Sequence, residues 1–277
     1  MKKFDTKKYL RTHKLPHIWC PGCGHGIILG AALRAMDRLE LDPKKTVVVS
    51  GIGCSARTTA YTNCNTFQTT HGRALTFASG IKMVRPDLTV IVFTGDGDGA
   101  AIGGNHLIHS ARRNIDITTI LLNNSIYGMT GGQYSPLTPY QKLASTAPYG
   151  NLERDFDVCK LADASGATYV ARGIAHEPRI LSKLIEGGIK HKGFSLIEGI
   201  SHCPVGYGRR NKIKDPVELM KDIKARTVKV KLGEQECFPG YHNGKIPVGL
   251  LSKKNLPEFT AEYAKMVEFV QKGMSTS

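Results

Sequence analysis

No apolar run in this chain of 277 residues approaches the roughly 20 that a membrane-crossing helix needs. The start, MKKFDTKKYLRTHK, is basic but lacks the apolar stretch and small-residue cleavage site of a secretory leader, so the expected compartment is the cytoplasm. No internal repeat or low-complexity segment interrupts the chain, which excludes a solenoid or a disordered tract. Acidic residues are also short, 23 Asp+Glu against 38 Lys+Arg, and the formal charge of +15 favours anionic partners: nucleic acid, phosphorylated cofactors or an acidic protein. The cysteines number seven, an odd count that argues against a disulfide framework and for metal, cluster or redox use. What remains, 41% hydrophobic and 22% charged residues, is the composition of a globular protein long enough to bury a sizeable core.

Apolar positions at helical spacing from Ile27 to Leu41 are followed by a strand candidate at Thr46–Ser50. A second strand, Leu88–Thr94, leads through a glycine-rich turn into a helix near Gly103–Arg113 and a strand at Ile117–Leu122. The alternation continues with a helix over Asp157–Ser165, a strand at Thr168–Ala171, a helix over His176–His191 and a strand at Phe194–Gly199. These strands are too continuously apolar for a half-exposed sheet. The expected fold class is therefore α/β, a mostly parallel sheet with helices on both faces. From Arg209 to Lys231 nine Lys/Arg stand against three Asp/Glu and the pattern weakens, so the chain divides into a core domain over 1–205 and a C-terminal extension over 206–277.

Thr94-Gly95-Asp96-Gly97 ends one predicted strand, and Leu122-Asn123-Asn124-Ser125 ends the next. Ends of parallel strands share one crevice, where ligands of open α/β sheets bind. Glycines let the backbone approach a pyrophosphate, and a carboxylate with an amide oxygen supplies hard ligands for Mg²⁺. The bland alternative is a glycine-rich turn with an unrelated Asn-Asn turn. Gly-Asp-Gly, twenty-six intervening residues, then Asn is similar to the thiamine diphosphate fingerprint. That resemblance implies Mg²⁺ on Asp96, Asn124 and the carbonyl of Ile126, with Asp98 a rival that shortens the spacing.

Cys20 and Cys23 form a CxxC, Cys54 follows the strand TVVVS, and Cys203 follows FSLIEG. All four sit in turns or at strand ends and can converge. Spacing alone leaves an iron–sulfur cluster, a structural zinc and a dithiol redox pair open.

The blocks WCPGCGHG (19–26), GIGCS (51–55), HGRA (71–74), GDGD (95–98), IGGNH (102–106) and YGMTGGQ (127–133) run in order through roughly residues 16–205. Together they resemble the β subunit of 2-oxoacid:ferredoxin oxidoreductases. The resemblance implies a 4Fe–4S cluster on Cys20, Cys23, Cys54 and Cys203, close to thiamine diphosphate. It implies oxidative decarboxylation of a 2-oxoacid, with coenzyme A taking the acyl group and ferredoxin the electrons. The residues expected at the cofactor are Ile52, Gly53, Cys54, Ser55, His71, Gly95, Asp96, Gly97, Asp98, Asn124, Ile126, Gly128, Met129 and Thr130. Arg57, Met129 and His71 are expected to act on the substrate, Arg57 as the grip on a carboxylate. His25 is a weaker candidate for proton transfer. His106 and His109 are expected to pack, as are Cys64, Cys159 and Cys237.

Two things are missing. A full thiamine site needs a second α/β half bearing a glutamate, and none is visible, so an α subunit must complete it, most simply in a dimer of αβ heterodimers. The C-x₂-C-x₂-C-x₃-C-P run of ferredoxin domains is absent as well, so electrons leave one cluster for an external, acidic ferredoxin. Within the family, HGRAL and IGGNH…YGMTGGQ look more like the 2-oxoglutarate branch than the pyruvate or branched-chain ones. A non-oxidative thiamine decarboxylase would need no cluster cysteines. A zinc-stabilised nucleic-acid module would need no paired strand-end turns, and the RNP-type aromatics are lacking; neither nucleic acid nor membrane is an expected partner.

Overall fold

Each apolar run of the sequence becomes a strand or helix within a few residues of its expected bounds. The computed structural model describes residues 4–232 and 244–273. In chain order the first half is α1 (His25–Arg38), β1 (Thr46–Ser50), α2 (Thr58–Tyr61), β2 (Asn65–Gln68), α3 (Ala74–Val84), β3 (Thr89–Gly95), α4 (Gly104–Arg112) and β4 (Thr118–Asn123). The second is α5 (Val158–Ala164), β5 (Tyr169–Ile174), α6 (Pro178–Lys190), β6 (Ser195–Ile200), α7 (Pro216–Ala225), β7 (Thr227–Lys229), β8 (Ile246–Lys253) and α8 (Phe259–Gln271).

The strands form one sheet in the order β2-β1-β3-β4-β6-β5-β8-β7. Neighbours from β2 to β5 are parallel, and β8 pairs antiparallel with β5. Alternate side chains feed two cores. Val47, Val49, Val90 and Val92 pack with Ala78, Leu107 and Ala162 of α3, α4 and α5, while Val48, Ile91 and Phe93 pack with Ile28, Leu33 and Leu181 of α1 and α6. Every residue of β1, β4, β5 and β6 is buried, so these strands are predominantly apolar, with the paired Arg172 and Glu198 as the charged exceptions. Each such aliphatic side chain contributes about 1.5–3 kcal/mol by leaving water.

The weak pattern after residue 205 concealed structure. The extension supplies β7 and β8 to the edge of the main sheet as well as α7 and α8. Also unforeseen are β2, whose residues are mostly exposed, and α3, entered directly from His71-Gly72-Arg73. Among the described residues no helix is long and apolar enough to cross a membrane.

β1 is followed in sequence by β2 on one side and then by β3 on the other, so the strand order reverses between β1 and β3. Ligands of open α/β sheets bind outside the carboxyl ends at such a switch point.

Candidate functional site

At that switch point the loops after β1, β2, β3 and β4 enclose a cavity of about 180 Å³. All fourteen residues expected at the cofactor line it: Ile52, Gly53, Cys54 and Ser55 after β1, His71 after β2, Gly95–Asp98 at the end of β3, and Asn124, Ile126, Gly128, Met129 and Thr130 after β4. The chain turns from β3 into a π-helical stretch over Asp96–Ile102 that runs into α4, so the cavity lies at the positive end of a helix, suited to a diphosphate.

Asp96 and Asp98 have separate roles. Asp98 is saturated: Oδ1 accepts from Gly72 N (2.7 Å), Ile52 N (3.1 Å) and His71 Nδ1 (2.8 Å), and Oδ2 from Thr94 Oγ1 (2.7 Å). It ties three strand-end loops together. A Cβ on Gly51 would fall 2.2 Å from its carboxylate, so only glycine fits there. Asp96, 4% exposed, takes a hydrogen bond from Ser135 Oγ at 2.6 Å and has no ion-pair partner among the described residues. Burial pushes its pKa up to about 7, against hydrogen bonds from Ser135 and the backbone that pull it down. A buried carboxylate short of positive charge, beside Asn124 and the Ile126 carbonyl, is a donor set that suits Mg²⁺.

Tyr127, absent from the expected site, lines the cavity and donates from its hydroxyl to Gly97 O at 3.2 Å. A Cβ on Gly97 would meet the Tyr127 ring at 2.1 Å, so this ring requires the second glycine of Gly-Asp-Gly.

The four matched cysteines line a second cavity, of about 260 Å³, with Trp19, Arg57, Asn124, Gly128 and Met129. Cys54, Asn124, Gly128 and Met129 belong to both cavities. A Cβ on Gly128 would stand 3.5 Å from Cys54 Sγ and 3.7 Å from Cys203 Sγ, so glycine leaves the space between these thiols open. Trp19 Nε1 donates to Cys54 O (2.7 Å), Gly24 N to His202 O (3.1 Å) and Gly206 N to Cys203 Sγ (3.2 Å), fixing the three cysteine-bearing loops. Burial raises Cys23 to about 12 and Cys54 to about 11 and pushes Cys203 up, with neighbouring cysteines adding to each shift. Such thiols ionise only against strong positive charge. Among the described residues no three His, Cys, Asp or Glu side chains converge on a single-ion site. Four cysteine sulfurs lining one cavity are a donor set that an iron–sulfur cluster or a tetrahedral zinc ion can use.

Arg57 lies on the cysteine side rather than in the first cavity, exposed, with no side-chain hydrogen bond to a described residue. Met129 and Thr130 reach the first cavity, and Met129 is 44% exposed. His25, the weaker sequence candidate, lines the first cavity with its Nδ1 3.0 Å from Ser201 Oγ; burial, helped by His202, lowers its pKa to about 4. His106 and His109 lie on α4 and line neither cavity. Cys159 is buried with Sγ 3.3 Å from Glu198 Oε2, Cys64 is partly buried, and Cys237 lies outside the described residues. Sequence reasoning missed Ser135 and Tyr127; Tyr127 at least opens the YGMTGGQ block, whereas nothing around Ser135 marks it.

Residues 51–199 match the family described as thiamine pyrophosphate enzyme, C-terminal TPP binding domain. The chain is 50% identical over 265 residues to the 2-oxoglutarate synthase subunit KorB of Methanocaldococcus jannaschii, covering 94% of this chain and 96% of that one. The chain belongs to the KorB family of 2-oxoglutarate synthase subunits. Its KorB relative in Archaeoglobus fulgidus is 47% identical over 274 residues, covering 98% and 97%. A solved 2-oxoglutarate:ferredoxin oxidoreductase from Magnetococcus marinus, with 2-oxoglutarate, coenzyme A and succinyl-CoA bound, superposes with a TM-score of 0.87 at 35% identity, covering 98% of this chain and 92% of that one. The matched thiamine pyrophosphate binding domain spans the turns after β1, β2, β3 and β4, and the α/β architecture expected from the sequence is the one found.

Proposed function

We propose that this KorB-family chain is the β subunit of an enzyme that interconverts 2-oxoglutarate plus coenzyme A with succinyl-CoA plus CO₂, using ferredoxin as electron carrier. The observation that carries this reading is the pair of cavities sharing Cys54, Asn124, Gly128 and Met129, one lined by the glycine- and carboxylate-bearing turns after β1 to β4 and the other by four cysteines. In this reading Asp96, Asn124 and the Ile126 carbonyl hold Mg²⁺, and Cys20, Cys23, Cys54 and Cys203 hold a 4Fe–4S cluster. When bound, thiamine diphosphate supplies the electron sink for decarboxylation and the cluster a one-electron outlet.

The chain's own residues do the rest. Gly95–Asp98 and the start of the helical stretch cradle the diphosphate. Asp98 Oδ1 accepts a hydrogen bond from His71 Nδ1–H, which leaves Nε2 of this cavity-lining imidazole to hold or pass a proton. Arg57, unpaired among the described residues beside Met129, grips the distal carboxylate of the dicarboxylic substrate. An α subunit closes the thiamine site with the missing half, in a dimer of αβ heterodimers. An acidic ferredoxin suits a chain of charge +15. The functional division falls at 205/206, since every proposed ligand precedes it. The cytoplasm, where thiols stay reduced, is the compartment assigned.

Iron analysis and the visible spectrum of anaerobically purified protein test the reading. About four irons per chain and a broad band near 400 nm are expected, lost in Cys20→Ser, Cys23→Ser, Cys54→Ser and Cys203→Ser but retained in Cys159→Ser. Zinc in place of iron, or a colourless protein, would overturn it.

A further inference from the structure

We propose that Ser135 and Thr138 are positioning residues, a clasp that joins the two metal-bearing turns and sets the affinity for the divalent ion. The proposal rests on the reading of Asp96, Asn124 and Ile126 as the metal's ligands.

Those ligands come from separate strands, Asp96 after β3 and Asn124 with Ile126 after β4. Residues 124–157 leave β4 and fold back over the strand ends before α5 begins. Within that loop the hydroxyls of Ser135, 1% exposed, and Thr138, 0% exposed, each carry one proton, and the neighbouring acceptors decide where it goes. Ser135 Oγ accepts from Leu137 N (3.3 Å) and donates to Asp96 Oδ2 (2.6 Å). Thr138 Oγ1 accepts from Ser135 N (2.8 Å) and donates to the Ser125 carbonyl (2.6 Å). Ser125 sits between Asn124 and Ile126 in a left-handed conformation, φ 60°, which its amide bond to Asn123 Oδ1 (3.0 Å) also supports. One short turn therefore fixes the rotation of the Asp96 carboxylate and the path of the Asn124–Ile126 backbone together.

The turn is itself anchored. Asn151 Nδ2 donates to Thr138 O (2.8 Å), Phe156 N donates to Pro136 O (2.8 Å), and Pro136 and Pro139 restrict the backbone around it. Neither hydroxyl lines the first cavity, so both act through the ligands they hold. Partners that orient metal ligands in this way are typically worth roughly 10- to 100-fold in metal affinity.

The test is Mn²⁺ titration, followed by electron paramagnetic resonance, of the chain assembled with its partner subunit and saturated with thiamine diphosphate. Ser135→Ala and Thr138→Val are expected to bind Mn²⁺ roughly 10- to 100-fold more weakly with a broadened Mn²⁺ signal, while Ser135→Thr and Thr138→Ser, which keep the hydroxyl, stay close to wild type. Melting of the metal-free assembly separates positioning from simple loss of fold. Unchanged Mn²⁺ affinity in both hydroxyl-free variants overturns the clasp, and so does equal weakening in hydroxyl-free and hydroxyl-keeping variants. Should Ser135→Ala fail to fold, the Thr138 pair decides alone. Failure of the wild-type assembly to bind Mn²⁺ at all would instead overturn the ligand assignment, and the clasp with it.

Discussion

His71 Nδ1 lies 2.8 Å from Asp98 Oδ1, and the same oxygen accepts the amide hydrogens of Gly72 and Ile52. One buried carboxylate thus orients a cavity-facing imidazole and ties the loops after β1, β2 and β3. Asp98→Ala strands the buried Gly72 amide and Thr94 hydroxyl, at about 1–3 kcal/mol each, and frees the part-buried Ile52 amide and His71 imidazole. A clear drop in melting temperature is expected, together with weakened thiamine diphosphate binding. His71→Gln, whose side-chain amide can still donate, should keep the fold and lower kcat. A melting temperature of Asp98→Ala equal to wild type would remove Asp98 from this role.

Asp96→Ala or Asn124→Ala should abolish Mg²⁺-dependent thiamine diphosphate binding without unfolding the chain. For Asp96 the expectation is sharper, because a buried carboxylate without a cation is unfavourable in the metal-free state. Its removal should leave the metal-free chain as stable as wild type or more so. Calorimetric titration giving unchanged cofactor affinity in both variants would sink the metal assignment.

Arg57→Ala should lower kcat/KM for 2-oxoglutarate far more than for pyruvate or 2-oxoisovalerate on the assembled enzyme. Arg57 is exposed in this chain alone; with the proposed α subunit closed over it, burying the distal carboxylate without its cation costs several kcal/mol. An equal loss on all three substrates would move Arg57 to the carboxylate they share, and a wild-type preference for pyruvate would defeat the substrate assignment itself.

Away from the site, Arg172 is 3% exposed, bonds Glu198 Oε2 through Nε at 2.5 Å and pairs with Asp157, while Glu198 Oε1 accepts from Asn123 Nδ2 at 2.7 Å. Removing one member of a buried ion network typically costs 3–5 kcal/mol. Glu198→Ala should therefore unfold at markedly lower denaturant concentration, and because Asn123 supports the metal turn through Ser125, its Mg²⁺ affinity should fall too. A chemical denaturation curve superposing on wild type would refute this.

The His25 pKa is lowered to about 4 by burial and by His202, against an unfolded value of 6.5. Between those two values the unfolded chain takes up a proton that the folded one refuses, so stability from this group is intact above pH 6.5 and declines as pH falls toward 4, by about 3 kcal/mol in all. Asp96 acts in the opposite sense, since its raised pKa keeps a proton in the folded state up to about pH 7. The comparison must therefore be between wild type and His25→Gln, which cancels the other groups. Melting temperatures at pH 7.5 and pH 5 should diverge more in wild type, and equal divergence would show that His25 does not carry the effect.

The element pattern and most of the cavity lining were legible because their causes are local. Strands such as Thr46–Ser50 and Thr118–Asn123 are buried on both faces, so nearly every residue is apolar or small, Asn123 with its bond to Glu198 excepted. A turn expected to take a diphosphate with its metal ion shows glycines and a carboxylate within four residues, and Gly95–Asp98 displays both. The same logic hid β2, an exposed edge strand with no apolar signature, and β8, which reached the sheet only by pairing antiparallel with β5.

By itself the sequence determined the five buried strands β1 and β3 to β6, the turns that line the strand-end cavity and, through the matched blocks, the family they belong to. Tertiary structure decided which residues meet. Cys20, Cys54 and Cys203 face one cavity because the strand order brings the ends of β1, β4 and β6 beside the loop before α1. Asp96 and Asp98, two residues apart and chemically identical, differ because one turn of the helical stretch directs Asp98 to four donors and leaves Asp96 without a cation. Ser135 reached Asp96 across thirty-nine positions. Local patterning records what a residue must bury, whereas a hydroxyl's partner depends on how a long loop closes over the sheet, and the cost of closing a loop depends too weakly on its length and composition to leave a mark in the sequence.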